Sequence, residues 1–162
     1  MQKIKVAGVP AQPPAKWPEN LASKPSVEIP KGVTQLLDLT YAQYGARKML
    51  ADVFLPKGKG QHSGVLIIHG GGWAKGDKMK FRSIGLEMAK RGYVSMAMEY
   101  RLSGESHFPA NIHDCHAAVR YLRANAKEYK LDPDRIGVET HHPFSQKELG
   151  LIIARTHPLQ MK

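Results

Sequence analysis

Three consecutive glycines, Gly70-Gly71-Gly72, stand between His69 and Trp73, directly after the apolar run Val65-Leu66-Ile67-Ile68. Glycines in series let a backbone come close to a ligand, and their N–H groups can converge on negative charge. A phosphate cradle is the first chemistry to test. A P-loop needs a Lys-Ser/Thr pair after its second glycine, and Gly76-Asp77-Lys78-Met79 lacks it. A dinucleotide turn laid over Gly70 and Gly72 puts Lys75 where the third glycine belongs. Both phosphate readings fail. A tight strand-to-helix turn without a ligand remains, beside a cradle for some other oxyanion.

The other reactive side chains give less. His113 and His116 are three apart and could share a helix face, with His107 nearby. A metal would need a third ligand, and the chain has no CxxC and no Cys/His pair at zinc spacing, so no metal and no cofactor is expected. Cys115 is the single cysteine, which excludes an internal disulfide. It falls in an apolar helical pattern and reads as a buried, inert thiol.

The glycine loop needs a scaffold, and the flanking pattern supplies one. Val65–Ile68 has four bulky residues without alternation, as in a parallel strand covered on both faces. Ser83–Arg91 reads as a helix stopped by Gly92, and Val94–Met98 as the next strand. Pro109–Tyr129 is the longest helix candidate. Ile112, Cys115, Val119, Leu122 and Ala126 form its apolar stripe. Asp132-Pro133-Asp134 is a turn, and Arg135–Val138 begins a strand. This alternation predicts an α/β fold, a mostly parallel sheet with crossover helices. Upstream, Thr34–Tyr41 and Lys48–Leu55 predict a hairpin turning over Ala42–Gly45. Residues 1–33 hold Pro10, Pro13, Pro14, Pro18, Pro25 and Pro30, and read as an extended arm.

The 162 residues carry a formal net charge of +10, which raises the question of an anionic partner. The lysines and arginines are dispersed, with no block of five or six like charges, so surplus lysine on loops is the favoured reading and nucleic acid is not expected. No stretch reaches the ~18 apolar residues of a membrane span. The first ten residues lack a signal peptide's apolar core, so the chain as written reads as cytoplasmic.

Three motifs stand in order: His69-Gly70-Gly71-Gly72-Trp73, then Tyr100-Arg101-Leu102, then Phe108 through Asn125 leading into Asp132-Pro133-Asp134-Arg135-Ile136-Gly137-Val138. Together, over residues 34–138, they resemble α/β-hydrolase carboxylesterases of the hormone-sensitive-lipase and feruloyl/acetyl-esterase type. The resemblance implies a small-molecule or carbohydrate ester as substrate. It implies a serine attacking the ester carbonyl, a histidine moving the proton, and backbone amides holding the tetrahedral oxyanion, each donor contributing on the order of 3 kcal/mol. The oxyanion donors would be the N–H groups of Gly71 and Gly72. His69 and Gly70 would support the loop, and Trp73 would wall the acyl pocket. Arg101 and Asp114 would form a partly buried structural ion pair.

Beyond Val138 the likeness stops. The family's nucleophile elbow, G-x-S-x-G, is absent from the chain, and no glycine occurs between Val138 and Gly150. His142 stands where the serine is expected. Ser145 is flanked at two residues by Pro143 and Lys147, and His157 lies in an unpatterned stretch. Residues 139–162 read as a tail unlike the family. The family sheet runs 1-2-4-3-5-6-7-8, so the resemblance implies a fold truncated after about its fifth strand, with that strand left as an edge prone to self-association. The resulting expectation is an esterase-like chain that keeps the oxyanion loop and has no catalytic nucleophile, acid or base. Two alternatives stay open: a non-catalytic basic binding protein, and an active esterase whose chain extends beyond these residues.

Overall fold

The computed structural model describes residues 28–140. The first 27 residues of the proline-rich arm, and His142, Ser145 and His157, lie outside the described residues.

The chain begins with a hairpin, β1 (Val33–Tyr44) against β2 (Arg47–Pro56). Pairing runs from Val33↔Pro56 to Tyr44↔Arg47. Both strands are longer than the sequence suggests, because the reversal is confined to Gly45-Ala46, with Gly45 at φ +59. Ala42 to Tyr44, expected in the turn, stay in the ladder. Two register shifts interrupt β1, and the first of them contains Asp38 at φ +54. β2 then pairs antiparallel with β4 (Val94–Met98), and β4 pairs parallel with β3 (His62–Ile68).

β5 (Leu131–Thr140) completes the order β1-β2-β4-β3-β5, the order that the resemblance implies for the first five strands. β5 meets β3 at Leu131↔His62 and again from Ile136↔Gly64 onward. The expected turn is present between those points, as a bulge inside the strand. The Asp134 N–H donates to the Asp132 carboxylate at 3.1 Å, an Asx turn that lifts the chain off the ladder.

Alternation along the strands builds two cores. Met49, Ala51, Val53, Leu66, Ile68, Val94, Met96 and Met98 face one side, where Cys115, Ala118, Val119 and Leu122 of α2 (Ala110–Ala124) pack. Phe54, Val65, Ile67 and Ala97 face the other, against Ile84, Leu86, Met88 and Ala89 of α1 (Arg82–Lys90). Each of these large aliphatic side chains contributes about 1.5–3 kcal/mol when fully buried. The sheet is therefore sandwiched, which explains why Val65–Ile68 of β3 reads as an unbroken apolar run, while in β4 the polar Ser95 is buried and donates its hydroxyl to the Gly85 carbonyl at 2.7 Å.

α1 ends as foreseen at Gly92, whose N–H donates to Ala89 while the Tyr93 N–H donates to Met88, a Schellman closure. The long second helix differs from expectation. It breaks at Asn125, and only a short α3 (Ala126–Tyr129) follows. The Asn125 side-chain amide donates to the Tyr121 carbonyl at 2.8 Å, competing with the helix ladder. No helix among the described residues is long and apolar enough to cross a membrane.

Candidate functional site

The glycine loop leaves the C-terminal end of β3 and ends at a single 3-10 turn, Lys78–Phe81. Its entry is held by His69. That ring is 2% exposed and lies flat on Tyr100, with centroids 4.2 Å apart and an 18° tilt. The Tyr100 hydroxyl donates to the His69 carbonyl at 3.0 Å. The His69 Nδ1 lies 2.9 Å from the Gly70 carbonyl oxygen, which fits a neutral ring protonated on Nδ1. Burial pushes the His69 pKa below its ordinary value. The geometry gives His69 a packing and tethering role.

Beyond His69 the backbone is left-handed at three residues in a row: Gly71 (φ +128), Gly72 (φ +61) and Trp73 (φ +63). Gly76 follows at φ +117. A Cβ on Gly71 would run into the Lys75 carbonyl, and one on Gly76 would sit 2.5 Å from both the Gly70 oxygen and the His69 Nδ1. Any side chain at either position forces the loop apart. Gly72 has open space in front of it, so only its φ favours glycine. The Gly71 carbonyl accepts from the N–H groups of Ala74 and Lys75, both at 3.2 Å. Among the described residues, neither Gly71 nor Gly72 donates its own N–H to a backbone carbonyl. The arrangement can therefore offer two successive amides to a negatively charged oxygen.

Trp73 is an indole in a backbone region that costs a non-glycine residue about 1–3 kcal/mol. Two contacts offset that cost. Its ring meets Tyr100 edge-on at 4.9 Å, and its carbonyl accepts from the Ser103 N–H at 2.9 Å. The second contact joins the glycine loop to the loop after β4. An open pocket of about 350 Å³ lies alongside, lined by Gly70, Gly71, Lys75, Gly76, Lys80 and Phe81.

The loop after β4 is pinned in turn by Arg101 and Asp114. The guanidinium meets the fully buried carboxylate through Nε (3.0 Å to Oδ2) and Nη2 (2.8 Å to Oδ1), and the Arg101 N–H adds a third bond at 2.8 Å. Tyr44 covers the guanidinium, 3.7 Å from ring centroid to Cζ. Tyr44 and Arg101 thus link β1 to α2 and, through Ser103, to Trp73.

The remaining candidates stay apart from the loop's chemistry. Cys115 is buried in the α2 core, and burial raises its thiol pKa. The His113 and His116 rings meet edge-on at 6.4 Å. Sequence reasoning missed two features. Tyr100 entered only as the first residue of the Tyr100-Arg101-Leu102 motif, and its contact with His69, set by its position just past β4 beside the end of β3, was not anticipated. Also missed was the ionic cluster of Asp52, Lys78, Arg82 and Asp38 at the loop's exit. No local pattern connects those four residues.

The comparisons agree with this architecture. The BD-FAE family model matches residues 51–141, more than half of the chain. Arylacetamide deacetylase of Oryctolagus cuniculus is 36% identical over 93 residues, covering 53% of this chain and 23% of that protein. Among solved structures, esterase B of Lactobacillus rhamnosis in an inhibited form superposes with a TM-score of 0.62 at 27% identity, over 70% of this chain and 37% of its own. A bacterial heroin esterase gives a TM-score of 0.59 at 32% identity, over 68% and 35%. The chain spans about a quarter of the length of the curated relative and just over a third of these two solved esterases. The solved structures it superposes on are α/β-hydrolase esterases, and the chain belongs to the BD-FAE family.

Proposed function

We propose that these residues form the oxyanion-stabilising part of a serine carboxyl-ester hydrolase acting on small-molecule or carbohydrate esters, and that they do not complete the reaction by themselves. One observation carries the proposal: the Gly71–Trp73 backbone, left-handed throughout, at the end of a buried parallel strand. Nucleophilic attack on an ester carbonyl moves negative charge onto its oxygen. Amides already oriented there stabilise that charge without reorganising, by on the order of 3 kcal/mol each. Lys75 and Lys80 add positive charge beside the same loop. The relatives' printed activities, deacetylase and esterase, are of this reaction class.

Attack itself needs an activated hydroxyl, and the chain holds no G-x-S-x-G. The purified chain is therefore expected to give no covalent labelling with a fluorophosphonate probe and no hydrolysis of a short-chain nitrophenyl ester above background. Stoichiometric labelling would overturn this part of the proposal.

A second property follows from β5. Among the described residues it is hydrogen-bonded to β3 on one side and forms the sheet edge on the other. That edge supports self-association of the chain. Sedimentation velocity is expected to show a concentration-dependent shift to larger species. A monomer unchanged over a hundredfold concentration range would contradict it.

A further inference from the structure

Four charged residues meet at the exit of the glycine loop. The Lys78 side chain is 3% exposed. Its Nζ donates to Asp52 Oδ1 at 2.7 Å and to Asp38 Oδ1 at 2.6 Å. Arg82 Nε donates to Asp52 Oδ2 at 2.6 Å, and the Asp38 N–H donates to Asp52 Oδ1 at 2.9 Å. Asp52 is fully buried on β2. It thus receives three donors, from β1, the 3-10 turn and α1. The left-handed backbone of Asp38, inside the β1 bulge, belongs to the same arrangement.

A buried ion pair contributes little net stability, because desolvating the two charges offsets most of their attraction. What it does well is fix position, since a buried ammonium tolerates only the place where its carboxylates are. Lys78 lies two residues after Gly76 and one after Asp77, whose carboxylate caps the 3-10 turn by accepting from Met79 at 2.8 Å. The loop is thereby tethered at both ends, at His69 through Tyr100 and at Lys78 through Asp52 and Asp38. Between the tethers lie four residues with positive φ, three of them glycines with no side chain to anchor them.

We propose that Lys78 is a positioning residue for the glycine loop: by binding Asp52 and Asp38 it fixes the loop's exit, so that the Gly71 and Gly72 amides stay convergent. The proposal rests on the reading of that loop as an oxyanion site. It adds a role for a side chain that touches no reacting atom.

Amide hydrogen exchange followed by NMR on the full chain tests it. Ala74 and Lys75, which donate to Gly71, and Ser103, which donates to Trp73, report on the loop. Leu66 and Ile67 report on the core strand. In Lys78→Met the three loop amides are expected to exchange roughly tenfold faster or more, with the strand amides changing far less, as for a local opening. Loop and strand amides accelerating together would mark a merely structural ion pair and overturn the proposal. So would an unchanged loop. Asp38→Asn removes one of the two carboxylates from Lys78 at an exposed position and serves if Lys78→Met does not fold. It is expected to show the same selectivity at smaller amplitude, and loop exchange unchanged in it would also overturn the proposal. These exchange rates need no ligand. If they behave as expected while a phosphonate monoester fails to shift Gly71 and Gly72 in the wild-type chain, the oxyanion reading falls and the positioning role of Lys78 stands.

Discussion

The Tyr100 hydroxyl hydrogen-bonds to the carbonyl of His69 while their two rings stack at 4.2 Å, so a residue two places past β4 fixes the residue after β3 by two different interactions. The bond satisfies a carbonyl that has just left the parallel ladder. The stack excludes water from a neutral imidazole. Removing the hydroxyl in Tyr100→Phe keeps the stack and orphans the carbonyl. The expected loss is about 1–3 kcal/mol in urea denaturation, the cost of an unmet buried hydrogen bond. A variant as stable as the parent would show that water replaces the hydroxyl freely.

Acid is expected to loosen the same contact. Burial holds the His69 pKa below its ordinary 6.5, so the folded chain resists a proton that the unfolded chain accepts. This contribution to stability is complete above about pH 6.5 and is lost as pH falls from there toward the folded-state value. Thermal melts between pH 8 and pH 5 should show the decline, and His69→Gln should flatten it. An equal slope in parent and variant would assign the decline to other groups.

The two glycines proposed as donors should respond differently to a methyl group. In Gly71→Ala the new Cβ collides with the Lys75 backbone, which cannot rotate away. In Gly72→Ala the space is open and only the left-handed φ is penalised. The expected costs are about 1 kcal/mol for Gly72→Ala and at least about 3 kcal/mol for Gly71→Ala. Chemical denaturation of both variants decides, and the reverse order would mean the loop path is wrong.

Arg101→Met leaves the Asp114 carboxylate buried without its guanidinium. Breaking one side of such a pair costs about 3–5 kcal/mol. Because Ser103 binds the Trp73 carbonyl, the damage should reach the glycine loop, read as a red shift of Trp73 fluorescence in a Trp17→Phe background. A destabilised variant with unshifted emission would separate the ion pair from the loop.

Much of this was legible in the residues. The buried runs Val65–Ile68 and Val94–Met98 and the stripe Cys115, Val119, Leu122 fixed the sandwich, because burial on both faces of a strand and on one face of a helix leaves period and composition signatures. The break at Asn125 was not foreseen. A side-chain bond to the Tyr121 carbonyl competes there with a helical pattern that continues through Ala126. The length of the hairpin strands was underestimated because a two-residue turn, Gly45-Ala46, with Gly45 left-handed, is enough to reverse the chain. Lys78 was read as one more surface lysine among many. Its burial depends on Asp52 and Asp38, twenty-six and forty residues earlier, and only the register of β1 on β2 brings those two together.

The central claim is that the Gly71 and Gly72 amides bind a tetrahedral anionic oxygen. Titrating the ¹⁵N-labelled full chain with a short-chain alkyl phosphonate monoester, which mimics the oxyanion without needing a nucleophile, tests it directly. Saturable downfield shifts of the Gly71 and Gly72 amide protons, lost in Gly71→Ala, are the predicted result. Shifts spread over surface lysines with both glycine amides unmoved would contradict it.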